Sequence, residues 1–302
     1  MSFPSFLIPA SAACVYVNNW GRLYKYDSTH SKLTVLRTYR KPGYEEINPR
    51  KFTPKGMGGN SSKLERNIKR ARSTIYELAL CNSWAWFCTF TFDKEKVKDR
   101  YDLVSLMQTF RKWLSNYKYR NGLDSLHYLL IPERHKDGAW HLHGLFMGVP
   151  MKDLHQFSLS EKLPNRLRQR IRQGVPVYTW VPFSNRFGYV TLEPILSQER
   201  VSSYITKYIT KELSSSVAEL NARMFYASKG LRRKELVYSG AIHRAFTPDF
   251  QNEYVKIKNG RTLAEFFPLF AEPEPDEIIG GNENDPWYLD RPVDGVVQAW
   301  NH

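Results

Sequence analysis

Cysteine is scarce in this 302-residue chain: only Cys14, Cys81 and Cys88 occur. Their number is odd and none forms a Cys-x-x-Cys pair, which argues against a disulfide scaffold or a thiol-ligated metal and for a reducing, cytosolic setting. Long hydrophobic runs are missing too. Phe3 to Cys14 is only mildly apolar, too short to span a bilayer, and has no basic leader. A phosphate-cradling ATPase loop is also missing: Gly56-Met57-Gly58-Gly59-Asn60 has the glycines but not the lysine spacing, so any unwinding motor must come from elsewhere.

Acidic residues are few outside one stretch. The formal net charge is +14, but nine acids and a single arginine lie from Thr262 onward, which leaves 43 basic and 21 acidic side chains in the first 261 residues. A body that basic suits a polyanionic partner, and an aromatic content of 14% supplies rings for base stacking. Charge alone does not separate this from a soluble protein that is merely basic.

The stretch around which the chain is organised runs from Ile131 to Phe146, IPERHKDGAWHLHGLF. It reads as a β-hairpin: an apolar strand, a charged turn over Arg134–Gly138 with the pair Asp137-Gly138, and a second strand from about Ala139. His141 and His143 are two apart, so both project from one face, with Glu133 about opposite. Two imidazoles and a carboxylate on one patch can hold a divalent metal with positions left for substrate. A structural histidine pair is the plainer alternative.

Sixty residues on, Ser203 to Lys211 places Tyr204 and Tyr208 four apart and Lys207 and Lys211 four apart. On a helix over Gln198–Leu213 each pair shares a face. A metal-polarised phosphate beside two tyrosines is equipment for cutting and rejoining DNA through a covalent intermediate. Two buried structural tyrosines are the alternative, although lysines are poor company in a core.

Together, Glu133, His141-Leu142-His143-Gly144 and the downstream Tyr-x-x-Lys-Tyr-x-x-Lys resemble the HUH replication initiators of rolling-circle replicons. The likeness is to the two-tyrosine replication-associated proteins of small single-stranded DNA phages and related plasmids. It spans roughly Ser61 to Val237 and includes the strand Phe87–Phe92 and the segment Ser228–Leu231. The resemblance implies an α+β fold with a central antiparallel sheet of about five strands flanked by helices. It implies Mg²⁺ or Mn²⁺ at Glu133, His141 and His143, and site-specific nicking of single-stranded or supercoiled origin DNA through a 5′-phosphotyrosine. Tyr208 is expected to lead and Tyr204 to support the second transfer, each aided by its lysine, Lys211 and Lys207. A host helicase and polymerase would be partners in a bacterial cytoplasm. A relaxase or transposase of the same chemistry, and a non-catalytic nucleic-acid-binding protein, remain open.

The other expectations are coarser. Residues 1–60 read as an extension and linker, with a strand pair at Cys14–Val17 and Lys32–Tyr39 and a Pro/Gly/Ser-rich segment Pro42–Ser62. Residues 61–260 read as the catalytic domain and 261–302 as an acidic, flexible tail. Within the domain, helices are expected over Lys63–Leu80, Tyr101–Tyr119 (capped by Asp99) and Leu154–Gln173. Strands are expected over Trp84–Phe92, covered on both faces, and over Val175–Val181 and Phe187–Ile195, joined by a turn at Ser184-Asn185. Arg166, Arg168, Arg170 and Arg172 make a phosphate-tracking candidate, or simply a solvated face. His127 and His135 fall outside the ligand pattern.

Overall fold

The computed structural model describes residues 16–40, 61–210, 213–214, 216 and 222–271. Contacts divide the chain into two units, 58–233 and a second made of 1–57 with 234–302.

In the second unit, β1 (Tyr16–Lys25) and β2 (Ser31–Arg40) form a hairpin around a turn in which Asp27 Oδ1 accepts the Thr29 N–H at 2.7 Å.

The 58–233 unit opens with α1 (Ser61–Leu80), whose Ile68, Ala71, Ile75, Leu78 and Ala79 form the expected buried stripe. Next comes β3 (Trp86–Phe92), at the centre of the sheet between two antiparallel neighbours. Its even residues Trp86, Cys88, Phe90 and Phe92 are buried, while Phe87, Thr89 and Thr91 are half-exposed. The expectation of burial on both faces is therefore corrected: period-2 alternation gives one face to the core and leaves the other to the site. Against the core face lies α2 (Leu103–Arg120). Its cap is Asp102, which accepts from Val104 N and Ser105 N; Asp99 instead accepts from Tyr101 N one turn earlier. Phe90, Phe92, Phe110 and Phe183 meet edge-to-face or tilted at 4.9–6.1 Å between centroids. Each such contact adds about 0.5–1.5 kcal/mol beyond burial.

The hairpin is β4 (His127–Arg134) and β5 (Trp140–Met147). Gly138, at φ +86°, takes the turn position that a side chain would strain, and Asp137 Oδ1 accepts the Ala139 N–H at 3.0 Å. The helix expected over Leu154–Gln173 is much shorter: β6 (Leu154–Gln156) comes first, then α3 (Asn165–Arg172), because Pro164 lies just before the helix and the residues ahead of it are turn. Next, β7 (Tyr178–Trp180) is followed not by a turn but by α4 (Val181–Arg186), which buries Phe183 completely, and then by β8 (Gly188–Pro194). Trp180 is a core residue, wholly enclosed.

The tyrosine helix also ends early. α5 (Gln198–Ile205) gives way to a 3-10 turn at Thr206–Tyr208. Thr206 donates its hydroxyl to the Ser203 carbonyl at 2.7 Å, a back-bond that competes with continued helix. A two-residue strand, β9 (Tyr226–Ala227), completes a seven-stranded sheet in the order β6-β7-β8-β3-β5-β4-β9, all of whose pairs are antiparallel. The fold is α+β. Four strands, β8, β3, β5 and β4, form its body, and three short ones extend its edges.

The chain then returns to the second unit with β10 (Glu235–Ala241), β11 (Phe250–Gln251) and β12 (Val255–Gly260). They join β1 and β2 in a five-stranded antiparallel sheet, order β10-β1-β2-β12-β11. Leu23, Leu33 and Val35 bury one face of it against Phe266 and Phe270, the latter on α6 (Phe267–Phe270). The expected boundary near residue 260 thus lies at 233, and the N-terminal strand pair is half of a sheet whose other half comes after residue 234. The expected linker (except Ser61 and Ser62, which begin α1), the tail from Glu272 and Lys211 lie outside the described residues. Among the described residues, no helix is long and apolar enough to cross a membrane.

Candidate active site

The half-open face of the seven-stranded sheet carries the site. Strand register sets Glu133 opposite His141, Thr91 opposite His141, and Thr89 opposite His143. Cross-strand partners share a face, so one carboxylate, two imidazoles and two threonines lie together. His143 Nε2 is 2.6 Å from Glu133 Oε2. Each imidazole also has a threonine behind it: Thr89 Oγ1 is 3.3 Å from His143 Nδ1, and Thr91 Oγ1 is 3.3 Å from His141 Nδ1. A histidine that donates from Nδ1 to an oxygen presents the Nε2 lone pair outward, the arrangement that orients metal-ligating histidines. Burial, foremost, holds both imidazoles below the ordinary histidine range; His135 adds to this at His141, and the Glu133 carboxylate opposes it at His143.

The donor set therefore fits a divalent cation in chemistry and in sheet face. The three side chains do not yet converge, however: His143 and Glu133 bond directly to each other, while the His141 ring stacks on His135 at 4.8 Å. Among the described residues no group of three or more His, Cys, Asp or Glu is gathered closely enough to hold a metal ion. His135, outside the ligand pattern in the sequence, is at the site after all, since the turn folds its ring back over the second strand. A cavity of about 350 Å³ opens beside Glu133, His135, Tyr208 and Thr210.

The tyrosines come to this face from α5 and its 3-10 turn. Ser197 caps α5 by accepting the Arg200 N–H at 3.2 Å. Gln198 ties the helix to the start of β3 through both ends of its amide, donating to Trp84 O at 2.7 Å and accepting from Trp84 N at 3.3 Å. At the far end, the Arg72 guanidinium of α1 donates twice to the Ile209 carbonyl, at 3.0 and 2.7 Å. Between these ties the Tyr208 ring lies on His143, and Phe87 meets the edge of the Tyr204 ring at 5.4 Å.

The two phenols differ. Tyr208 is 9% exposed and Tyr204 is 41% exposed. Tyr208 donates its hydroxyl to Tyr204 Oη at 3.3 Å. Lys207 Nζ sits 3.6 Å from the centre of the Tyr204 ring and 4.8 Å from that of Tyr208. For Tyr204, burial works against ionisation, but the Lys207 ammonium and the Tyr208 hydroxyl outweigh it and lower the phenol below the ordinary tyrosine value. For Tyr208, burial and then Tyr204 push the phenol far upward. Of the four α3 arginines, Arg170 is paired with Glu193, and Arg166 is close enough to favour both phenolates.

Residues 85–213 match the family model of the ORF2-type replication-associated proteins. The match begins just before β3 and runs past the tyrosine turn, so it takes in every site residue named above except Arg72. It supports a replication-associated role and an interaction with DNA. No curated protein and no solved structure matches the chain.

Proposed function

We propose that the chain is a rolling-circle replication initiator that nicks and rejoins DNA through a tyrosine-linked intermediate. The observation that carries this reading is the meeting of two tyrosine hydroxyls, 3.3 Å apart and under one lysine ammonium, beside the Glu133–His143 pair. Glu133, His141 and His143 would hold Mg²⁺ or Mn²⁺, which when bound would polarise a non-bridging oxygen of the scissile phosphate.

In this reading Tyr204, rather than Tyr208, makes the first attack. Its hydroxyl is the more exposed, accepts a proton from its neighbour, and is the one Lys207 helps to ionise. The Tyr204 oxygen forms a bond to phosphorus, the bond from phosphorus to the 3′ oxygen breaks, and the departing oxygen takes up a proton to become the 3′-hydroxyl. Each phosphodiester lost is matched by one phosphotyrosine gained, so rejoining needs no nucleotide hydrolysis. Tyr208, stacked on His143, serves the second transfer. Lys211 is a candidate partner of Tyr208.

The test is capture of SDS-resistant protein–DNA adducts from a pool of single-stranded DNA incubated with the chain and Mn²⁺ or Mg²⁺, followed by peptide mapping. An adduct on Tyr204 or Tyr208 that disappears with EDTA is the expected result; no adduct under any divalent cation overturns the proposal. A second reading, a non-catalytic DNA-binding protein, draws on the direct bond between Glu133 and His143, and the same absence of adduct would favour it.

A further inference from the structure

The five-stranded sheet of the second unit lies outside the residues matched to the replication family, and the nicking chemistry makes no use of it. One of its faces is closed by Phe266 and Phe270 over Leu23, Leu33 and Val35. The other is built differently. Strand register brings Trp20, Arg22 and Tyr24 of β1 beside Leu36, Thr34 and Lys32 of β2, all half-exposed while their alternating neighbours are buried.

The rings on this face are fixed by their neighbours. Trp20 and Tyr39 stack 5.6 Å apart and 6° from parallel, and Trp20 Nε1 donates to Ser239 Oγ at 2.7 Å. The cations are interleaved with the rings. The Arg22 guanidinium lies 5.4 Å from the Tyr24 ring and 6.0 Å from Tyr39, and Lys234 Nζ is 4.5 Å from Tyr24 on its other side. The β1, β2, β10 and β12 residues on this face include no carboxylate. Asp249 stands at the β11 edge, where the Asn259 backbone and amide N–H groups donate to it. Burial, and then Lys234, hold the Lys32 ammonium below the ordinary lysine range, a shift that an anion beside the pair would reverse.

We propose that this open sheet face, Trp20, Arg22, Tyr24, Lys32, Tyr39 and Lys234, is a binding platform for single-stranded nucleic acid. Bases stack on the exposed edges and faces of the aromatic rings, while Arg22, Lys32 and Lys234 take the phosphates. Every base has a π-face, so the platform tolerates any sequence. Its chemistry is that of a track that holds a displaced strand, separate from the site that cuts it.

The experiment uses the full chain in EDTA, where nicking is off, and a fluorescent single-stranded deoxyoligonucleotide carrying 5-iododeoxyuridine. Photo-crosslinks are expected at Trp20, Tyr24 or Tyr39. Trp20→Ala with Tyr24→Ala should weaken binding by roughly tenfold or more. Arg22→Gln with Lys32→Gln, which leaves the rings in place, should make the salt dependence of log K shallower by about 1.4, two phosphate contacts at about 0.7 each. Crosslinks confined to residues 58–233, or unchanged affinity and salt slope in both folded double variants, overturn the proposal and leave the face to a protein partner. His141→Ala with His143→Ala should keep these crosslinks while losing adduct formation, so failure of the platform and failure of the nicking reading are told apart.

Discussion

The Tyr208 ring lies flat on the His143 imidazole, with centroids 3.7 Å apart and planes 12° from parallel. That contact seats the second tyrosine over a proposed metal ligand and leaves the first, Tyr204, facing outward with Lys207. Spacing alone suggested two equivalent tyrosines on one helix. The structure separates them by environment.

The first prediction rests on that asymmetry. Tyr204→Phe should lower first-turnover adduct yield by on the order of a hundredfold, whereas Tyr208→Phe should keep single nicking and lose rejoining. The measurement is adduct yield and circle closure on a suicide oligonucleotide. Full yield in Tyr204→Phe with none in Tyr208→Phe would reverse the assignment.

The threonines behind the histidines make a second. Thr89→Val and Thr91→Val remove an oxygen 3.3 Å from each Nδ1 without changing side-chain volume much. The Mn²⁺ concentration for half-maximal nicking should rise about tenfold, as is usual when the group that orients a ligating histidine is lost. His141→Ala with His143→Ala should abolish nicking at any Mn²⁺ concentration; retention of wild-type nicking would rule out the metal assignment.

Arg72 supplies a third. Its guanidinium reaches the tyrosine turn from a helix that begins well before the matched segment. Arg72→Ala should lower kcat by about tenfold with KM for DNA little changed, because the turn loses its tie while the DNA surface does not. Arg72→Lys, with one donor able to reach the carbonyl, should recover part of the rate. An equal change in KM would mean that Arg72 grips DNA instead.

A fourth concerns stability. Gly188 has φ +145°, and a Cβ there would stand 2.6 Å from Asp93 N and closer still to Thr91 O. Both are backbone atoms of the central strand and its end, and cannot swing away. Gly188→Ala should cost about 2–3 kcal/mol, read as a fall in melting temperature of roughly 4–8 °C. An unchanged melt would show that the turn relaxes freely.

A fifth sets two truncations against each other. Cutting the chain after Ala271 should leave nicking intact, since the acidic composition beyond it favours repulsion from DNA over contact. Cutting before Leu263 removes Phe266 and Phe270, strips the cover from Leu23, Leu33 and Val35, and should yield insoluble protein. Insoluble protein from the longer of the two products would contradict the prediction.

The hairpin, its turn, the buried stripe of α1, the central strand and the shared face of Glu133, His141 and His143 were legible in the sequence, because each rests on short-range periodicity or turn chemistry. What was missed rests on tertiary partners. β7 and β6 are three residues long and exist through pairing with each other and with β8, so their local pattern is weak. α4 replaces an expected turn because Phe183 finds a fully enclosed position among Phe90, Phe92 and Phe110. The early end of α5 comes from a threonine hydroxyl competing for a backbone carbonyl, a choice that helical periodicity does not register. His135 joins the site only because the hairpin turn carries its ring onto His141. The strands after residue 234 have partners more than two hundred residues earlier, and no local window contains both.

That last pairing bears on the order of folding. Trp20 and Ser239, 219 positions apart, are joined within one sheet, so the β1–β2 hairpin forms from adjacent chain but cannot gain its outer strands until residue 235 is available. During synthesis the hairpin emerges first and waits, with two bare edges, while the whole 58–233 unit is made. The entropic cost of closing so long a loop grows only as the logarithm of its length, and it falls when the intervening unit has already collapsed. The sheet should therefore be the slowest part of the molecule to acquire protection from hydrogen exchange, trailing the unit that carries the tyrosines.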